Sequence, residues 1–502
     1  MLQTLKNAWS TKEIRSKILF TLFILLLYRV GTVIPVPFVE SNGFENMLNG
    51  TILQYMNALS GGSLGAMTLF ALGVQPYINA SIIIQLLSVV FPSLAELAKT
   101  DKKKMNLITR LSTVVLAVVT AIGYYFILRN GNAQAGIDSF LTHRAYEGDA
   151  AWLYGIVIVV CYTAGASLVM WLAERINEKG IGNGISMILF ANIVAAVPSF
   201  CINLGSFVVD TYAYPDSSVN GNVPNWIYPV ISTIFAVILI AFLLALIAFV
   251  IFVTGSERRI PVQYAKKVVG RKMYGGQSSN LPIKLNMTGV MPIIFASSIV
   301  SVIPTVFQIL ESSGVVSATK TPGWHTFGEV FGTNGVIYPV SLFILIIGFA
   351  YFYTQITFDP IEVANNLKKQ GGAIPGIRQG RPTADYIKKI LNKITLAGAL
   401  FLGVIAVLPI ILGPHALQYL FEWIFAGSIP ESALLSFGTT QYVYINGSIT
   451  ELGTYVSSYA SSLTSVFSFG GTTLLIVVGV AIETFRELEA QLTMRNYKGF
   501  LN

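Results

Sequence analysis

The stretch that decides the fold runs from Asn57 to Pro92 and reads NALSGGSLGAMTLFALGVQPYINASIIIQLLSVVFP. It is apolar enough to enter a bilayer and long enough to cross one, but it is poorly suited to one continuous helix. Gly73 and Pro76 interrupt it, because glycine adds backbone freedom and proline lacks an N–H and clashes with the preceding turn. Two interpretations stay open: a short Gly-rich segment at about 60–72 followed by a spanning helix at about 76–91, or one helix with a proline kink. A segment too short to span must be buried in protein or line a water-filled cavity.

The composition indicates a membrane protein. Of the 502 residues, 54% are hydrophobic and 11% are charged, whereas soluble domains contain about 25% charged residues. The two cysteines, Cys161 and Cys201, both lie in apolar runs, so we interpret them as packing residues rather than a disulfide framework. No cleavable signal peptide is evident, since the first apolar run leads into Arg29 and Pro35 without a small-residue cleavage site.

Apolar runs of about 20 residues recur along the chain and predict an all-α polytopic protein with ten transmembrane helices. The predicted spans lie at about 18–36, 60–91, 107–128, 151–173, 184–204, 228–253, 288–309, 337–358, 391–413 and 468–485. An even number of spans places both termini on the same side of the membrane.

Positive charge is strongly biased to one face. Under this span assignment, 28 of the 32 Lys and Arg residues fall before span one, in the alternate loops that share its side, or in the tail. Because cytosolic loops carry the excess of Lys and Arg, both termini are predicted to be cytosolic. The opposite face is polar and aromatic, and its longest loop, at about 414–467, contains an NGS sequon at Asn446 that we regard as coincidental.

The predicted spans contain few ionisable residues. The middles of spans three to ten contain no Asp, Glu, Lys, Arg or His, although ion-coupled transporters need such groups and each costs about 2.5–3.5 kcal/mol to insert. His143, His325 and His415 are well separated, so neither a metal site nor a cofactor site is predicted. A secondary transporter and an intramembrane enzyme remain as alternatives, and both are disfavoured by these uncharged spans. The chain shows no energy source and is predicted not to be an enzyme.

Two long cytosolic loops carry the remaining signal. The loop at 255–287 alternates apolar and polar residues around Val262 and then contains turn-forming glycines, which predicts a hairpin-like projection. The loop at 359–393 predicts a short helix at about Pro360–Lys369 followed by the Gly/Pro-rich tip GGAIPGIRQGRP. Most of their lysines are explained by the general positive bias of cytosolic loops. Their length is not, and it favours a docking platform for an acidic protein surface or an RNA-bearing particle.

Several motifs resemble one known family. LGVQPYINASIIIQLL in span two, ERINEKGIGNGIS before span five, RRIPVQYAKK with LPIKLNMTGVMPIIFASSI, NNLKKQGGAIPGIRQG and FGGTTLLIV are all similar to the SecY family, the central subunit of the bacterial protein-conducting channel. The resemblance runs in order from about residue 12 to 500, with a matching number and orientation of spans. It is weakest in the outer loops, above all at 414–467, which looks longer than is usual for the family.

The resemblance implies two five-helix halves, related by a pseudo-two-fold axis, around a central hourglass pore. The implied divisions are an amino-terminal half at 1–204, an external connecting loop at 205–227, a carboxy-terminal half at 228–488 with cytosolic loops 255–287 and 359–393 and external loop 414–467, and a cytosolic tail at 489–502.

The resemblance also implies roles for individual residues. The apolar pore ring would consist of Val74, Ile78, Ile185, Leu189, Ile294 and Ile476. The plug, at about 60–72, would include Gly61, Gly62, Ser63, Gly65 and Met67. The helix after Pro76 would form one side of a lateral gate facing spans seven and eight, with Gln85 and Asn286 as candidates for a polar contact across it.

The implied function is passive conduction of unfolded secretory proteins across the bacterial cytoplasmic membrane, with lateral release of transmembrane segments into the lipid bilayer. The implied partners are SecE-like and SecG-like small membrane subunits, the SecA motor ATPase, the translating ribosome, and the signal peptides and nascent chains that pass through. Docking of the motor or ribosome is expected at Arg258, Arg259, Lys266, Lys267, Arg378 and Arg381.

Overall fold

The computed structural model describes most of the chain. The described residues are 2–41, 44, 48, 52–131, 139–147, 151–213, 227–264, 267–269, 272–274, 278–312, 322–332, 335, 337–412, 434–437, 440–445, 448–451 and 471–498. Within them the structure is predominantly α-helical, as the composition predicts.

Every predicted span overlaps a helix or a pair of helices. These helices are α2 (Lys12–Gly31), α4 (Gln75–Val90), α6 (Lys102–Asn130), α8 (Ala151–Lys179), α9 (Gly184–Ala213), α10 (Ile227–Gly255), the pair α11 (Met291–Val300) and α12 (Val302–Ser312), α14 (Ile337–Thr357), α16 (Arg381–Leu412) and α17 (Gly471–Lys498). Seven helical segments in the described residues are long and apolar enough to cross a membrane, and a bent pair raises the number to eight. The chain is therefore an all-α polytopic membrane protein. The predicted number of ten is reached only by including α2 and α17, each of which carries several charges.

Shorter helices connect or flank the long ones. They are α1 (Leu2–Ser10), α3 (Ile52–Leu59), α5 (Pro92–Thr100), α7 (His143–Glu147), α13 (Pro322–Phe331) and α15 (Pro360–Lys369). The axis turns by 116° between α4 and α5 at Phe91. Phe91 has extended backbone angles and precedes Pro92, and a residue before proline is sterically biased away from helical angles. The predicted helix at Pro360–Lys369 is confirmed with the same bounds, and the Asp359 side chain caps it by accepting the Ile361 N–H at 2.8 Å.

The loops at 255–287 and 359–393 form one folded unit. Strands β1 (Glu257–Tyr264) and β4 (Ser278–Lys284) pair antiparallel, with Ile260 opposite Leu281, which confirms the predicted hairpin-like projection. A second hairpin, β2 (Lys267–Val269) with β3 (Lys272–Tyr274), lies between them, and β5 (Gly372–Ala373) from the other loop pairs with β1. A separate hydrophobic cluster joins this sheet to α15 and α16 and contains Ile260, Val262, Ile283, Leu367, Ile374, Ile387 and Leu391.

The main hydrophobic core joins both halves of the chain. It contains residues from every spanning helix, from α2 to α17, and α3 and the turns after it lie within it. A small separate cluster of Ala8, Ile14, Ile181 and Leu488 packs α1 against the carboxy-terminal helix. In the long external loop the structure describes a three-stranded antiparallel meander of β6 (Leu434–Phe437), β7 (Thr440–Ile445) and β8 (Ser448–Glu451). Asn446 lies outside the described residues.

Two helices continue past bounds that the sequence predicted. Helix α9 continues through Pro198 to Ala213, past the predicted start of the external connecting loop at 205, and residues 214–226 lie outside the described part. Helix α17 continues to Lys498, into the predicted tail. The predicted broken span is confirmed at its second part, with α4 beginning beside Pro76, but the residues at 60–74 form turns and the short helix α3 precedes them.

Candidate functional site

The short helix α3 lies between the two halves of the protein. Its Met56 Sδ accepts a hydrogen bond from the Tyr124 hydroxyl of α6 at 3.5 Å and lies 3.7 Å from Thr305 Oγ1 of α12, whose proton is donated to the Ser301 carbonyl. Its Tyr55 hydroxyl is buried beside Ser297 of α11 and Thr472 of α17. Helix α3 thus contacts side chains from the amino-terminal half on one side and from the carboxy-terminal half on the other.

Two of the predicted plug glycines end helix α3. Gly61 and Gly62 have φ angles of 69° and 85°, in the left-handed region where residues other than glycine are strained. The Gly62 N–H donates back to the Asn57 carbonyl at 2.9 Å, and the Gly61 N–H donates to the Ala58 carbonyl at 3.2 Å. These bonds satisfy carbonyls that a helix end otherwise leaves unpaired. The Gly65 N–H is bonded to Asn57 Oδ1 at 2.8 Å, so the chain after α3 folds back onto it.

The other predicted plug residues bind the turns to the chain that follows α2. Ser63 is buried and its carbonyl accepts the Thr68 N–H at 3.0 Å. The Met67 carbonyl accepts the Val36 N–H at 3.1 Å, and the Leu69 N–H donates to the Ile34 carbonyl at 2.9 Å. Residues 60–74 are therefore fixed by backbone hydrogen bonds, although they are not helical.

The six predicted ring residues all lie in the main core or against it. Five are nearly inaccessible: Val74, Ile78, Leu189, Ile294 and Ile476, each with 1–3% of its surface exposed. Ile185 is half-buried and packs against the same core. Val74 directly precedes α4, and the others lie on α4, α9, α11 and α17; contacts join α4 to α11, α9 to α17 and α11 to α17. The structure thus brings these helices together around an apolar interior.

A hydrogen bond joins the two halves beside this apolar interior. The Tyr353 hydroxyl of α14 donates to Gln85 Oε1 of α4, and Gln85 Nε2 is bonded to Ser81 Oγ at 3.0 Å. The Tyr353 ring packs on Phe295 of α11, with 5.1 Å between ring centroids. Helix α4 therefore faces α11 and α14, as expected from the resemblance. Asn286 Oδ1 accepts a hydrogen bond from Thr288 Oγ1 at 3.5 Å, two residues along the chain. The described hydrogen bond of Asn286 is therefore local, whereas that of Gln85 reaches the other half.

The described docking candidates lie on the folded unit formed by the loops at 255–287 and 359–393. Arg258, Arg259, Arg378 and Arg381 are all exposed. Lys267 lies on β2, of which only the backbone is described, and Lys266 lies outside the described residues. Arg259 Nε donates to Glu257 at 2.8 Å, which occupies one of its donors.

The tip that carries Arg378 has a defined conformation. Gly376 and Gly380 flank it with φ angles of 81° and 98°. The Arg378 carbonyl accepts the Thr383 hydroxyl at 2.8 Å, and Gln379 Nε2 donates to the Gly372 carbonyl at 3.1 Å. The guanidinium is thus presented to solvent from an ordered backbone.

Sequence reasoning missed an ion pair between α6 and α8. Arg110 makes two contacts with the Glu174 carboxylate, from Nε at 2.9 Å and from Nη2 at 2.8 Å. Only 14% of the Glu174 side chain is exposed, against 46% for Arg110. A charge at each cytosolic end of two neighbouring spans was the available signal.

At the end of strand β4, burial lowers the pKa of the Lys284 ammonium, and the neighbouring Arg486 guanidinium lowers that pKa further. Arg486 itself donates to the Thr254 carbonyl at 3.0 Å. This bond joins α17 to the end of α10. In the described part of the chain, no group of three or more His, Cys, Asp or Glu side chains is placed to hold a metal ion.

Fold and site define a polytopic α-helical membrane protein in which two groups of spanning helices enclose an apolar interior occupied by a short helix. The SecY family model matches residues 68–442. A protein translocase subunit SecY of Streptomyces galbus is 38% identical over 515 residues, and one of Mycobacterium tuberculosis is 38% identical over 514, each with both chains fully covered. The chain belongs to the SecY family, whose members are channel subunits and not enzymes.

Solved structures share the fold at low sequence identity. A solved protein-conducting channel aligns with a TM-score of 0.57 and 16% identity, over 95% of this chain and 92% of the other. Sec61 from the canine ribosome-channel complex of the endoplasmic reticulum aligns with a TM-score of 0.54 and 15% identity over the same shares.

Proposed function

We propose that this chain forms the protein-conducting channel through which unfolded secretory proteins cross the membrane. The observation that carries the proposal is the position of helix α3, which lies among helices of both halves in a protein of the SecY family. Channel members of this family must be closed at rest and open for a client. A short helix held by side-chain contacts between two separable halves is suited to that task.

The apolar ring provides the second part of the barrier. Val74, Ile78, Ile185, Leu189, Ile294 and Ile476 offer water no hydrogen bonds, so a narrow passage lined by them would dewet and block ions. Branched apolar side chains can still rearrange around a passing chain, whatever its sequence. The plug, with Gly61, Gly62, Ser63, Gly65 and Met67, would move together with α3 when the passage opens.

Lateral release requires that the halves separate along one side. Helix α4 on one side and helices α11 and α14 on the other form the proposed lateral gate, with the Gln85–Tyr353 hydrogen bond between them. An apolar client helix would leave through this gate because its transfer into lipid is favourable, while a polar segment would stay in the passage.

Force must come from partners, because the channel is passive. The exposed Arg258, Arg259, Arg378 and Arg381 on the cytosolic unit fit a surface for the SecA motor ATPase or the translating ribosome. SecE-like and SecG-like subunits would complete the membrane complex. One relative in fold, canine Sec61, is a ribosome-bound channel, which supports the ribosome as a partner.

We place the protein in the bacterial cytoplasmic membrane with both termini in the cytosol. Two observations support this placement. Under the span assignment, 28 of the 32 Lys and Arg residues lie on one face of the membrane. The similar SecY subunits of Streptomyces galbus and Mycobacterium tuberculosis are bacterial proteins.

Reconstitution tests this function. The purified chain with its small subunits is placed in vesicles with the motor, ATP and a secretory precursor, and protease-protected precursor is measured. We expect protection that requires ATP, the motor and a signal peptide. Protection that is absent under all conditions, or uptake of a small solute that needs no motor, would contradict the proposal.

A further inference from the structure

A buried amide lies directly beyond the proposed ring on α9. Ile185, Leu189 and Asn192 are spaced by four and three residues, so their side chains share one face of the helix. Ile185 and Leu189 are proposed ring residues, and Asn192 follows them one turn further along. Asn192 is fully buried, which is unusual for an amide next to an apolar passage.

The Asn192 side chain binds the end of helix α3. Its Nδ2 donates to the Leu59 carbonyl at 2.8 Å and to the Tyr28 hydroxyl at 2.9 Å, which uses both of its N–H groups. Leu59 is the last residue of α3, so its carbonyl is among those that have no partner within the helix. Tyr28 is itself fully buried on α2 and its ring stacks on Phe70, with 5.4 Å between ring centroids.

The fit at this contact is close. A Cβ on Gly61 would lie 2.9 Å from Asn192 Oδ1, 3.2 Å from Asn192 Cα and 3.0 Å from Nη1 of Arg29. Only glycine lets the backbone after α3 approach so near to α9. Asn192 Oδ1 is buried and accepts no hydrogen bond from the described residues.

Displacement of α3 would therefore change the environment of this amide. Without the Leu59 carbonyl, one N–H group of Asn192 has no acceptor beside an apolar ring. This is unfavourable until water or the backbone of a client chain supplies another acceptor. A client chain offers backbone carbonyls at every residue, so it can supply that replacement.

We propose that Asn192 is a specificity-determining residue of this channel. It holds α3 in the closed position through the Leu59 carbonyl and Tyr28, and it thereby sets how strongly a client signal must bind before the channel opens. This inference rests on the proposed function. Neither the composition nor the motifs of the sequence indicated a role for Asn192.

The test compares Asn192→Leu and Tyr28→Phe with the unchanged protein, using one precursor with a strong signal peptide and one with a weakened signal peptide. Loss of one hydrogen bond of ordinary net strength changes an equilibrium by about fivefold. We expect weak-signal transport to rise by about that factor in Tyr28→Phe, which removes one of the two hydrogen bonds of the Asn192 amide, and by more in Asn192→Leu, which removes both, while strong-signal transport is unchanged. Resting ion conductance should rise in parallel.

Thr113→Val is the matched control. Thr113 is buried on α6 and its hydroxyl bonds within its own helix, to the Thr109 carbonyl at 2.7 Å. It should transport both precursors as the unchanged protein does. If Asn192→Leu does not assemble with the small subunits, Tyr28→Phe decides, since it removes only a hydroxyl.

Equal weak-signal transport by the unchanged protein and both variants would overturn the inference while leaving the channel function intact. Failure of the unchanged protein to transport even the strong-signal precursor would instead contradict the proposed function itself.

Discussion

The Tyr353 hydroxyl of α14 donates a hydrogen bond to Gln85 Oε1 of α4, and this bond joins the two halves of the protein on the side of the proposed lateral gate. Phe295 of α11 packs on the Tyr353 ring, so the polar contact is enclosed by apolar groups. Opening of the gate must break this hydrogen bond.

Tyr353→Phe should make the gate easier to open. Interhelical hydrogen bonds in membranes average about 0.6 kcal/mol, which corresponds to roughly threefold in an equilibrium. We expect marginally hydrophobic test segments to be released into lipid about three times more often, as measured by protease mapping of their topology. Tyr351→Phe is the control, because the Tyr351 hydroxyl bonds to the Asn392 carbonyl of α16 within one half. Equal effects of the two variants would contradict a specific role for Tyr353.

The double variant Ile78→Ser/Ile294→Ser should wet the passage. Both side chains are buried in the apolar interior, and a hydroxyl there gives water a hydrogen-bonding partner. We expect a higher resting conductance in single-channel recordings from planar bilayers. Ile83→Ser, at a position on α4 with 44% of its surface exposed, should leave conductance unchanged. An unchanged resting conductance in the double variant would show that these residues do not line the passage.

Gly61→Ala should disturb the closed state more than Gly62→Ala. Both glycines have positive φ, which costs other residues roughly 1–2 kcal/mol. At Gly61 the new methyl group would also press on Asn192, whereas the space around Gly62 is open. We expect faster transport of a weak-signal precursor for Gly61→Ala. The same transport rate for both variants would mean that backbone strain alone matters.

Arg378→Lys should impair motor-driven translocation although it keeps the charge. The guanidinium can donate two parallel hydrogen bonds to a carboxylate or phosphate, and an ammonium cannot reproduce that geometry. Arg378→Glu should impair transport far more, while membrane insertion stays normal. Lys388→Glu, an exposed charge reversal on α16, is the control. Unchanged rates for both Arg378 variants, measured as precursor protected in vesicles with equal amounts of channel, would exclude a docking role; an equal loss in the control would reduce the effect to bulk charge.

Glu174→Gln should lower the thermal stability of the purified protein in detergent. Removing the carboxylate breaks a bidentate pair whose Glu174 side is buried, but the exposed Arg110 stays solvated, so we expect a loss of about 1 kcal/mol. Arg175→Gln removes the more exposed pair with Glu178, which should contribute about 0–1 kcal/mol. A smaller effect at Glu174 than at Arg175 would contradict this ranking.

Local signals in the sequence predicted local structure well. Pro76 marked the start of α4, and Asp359 with Pro360 marked the start of α15, because proline at the first helical turn and an acidic cap act on neighbouring residues. The alternation around Val262 predicted the hairpin, since a strand buries every second residue.

Contacts between distant segments could not be predicted in the same way. The short run ILQYMNAL of α3 has no local feature that places it between two halves, because that position depends on Tyr124, Thr305 and Asn192. Gln85 was singled out by resemblance, but its partner Tyr353 lies 268 residues away in the chain. Helix α9 also continues through Pro198, where helix propensity alone favours the end of a helix. It packs against its neighbours α10 and α17.

The most direct test of the channel function is to trap a client in transit. A photo-crosslinking amino acid replaces Ile78, Ile294 or, as a lipid-facing control, Val119 of α6, which has 62% of its surface exposed. A precursor fused to a tightly folded domain is driven into vesicles until it stalls, and crosslinked products are identified. The account predicts adducts with the stalled chain at Ile78 and Ile294 and none at Val119. Stalled precursor without adducts at either ring position would contradict it.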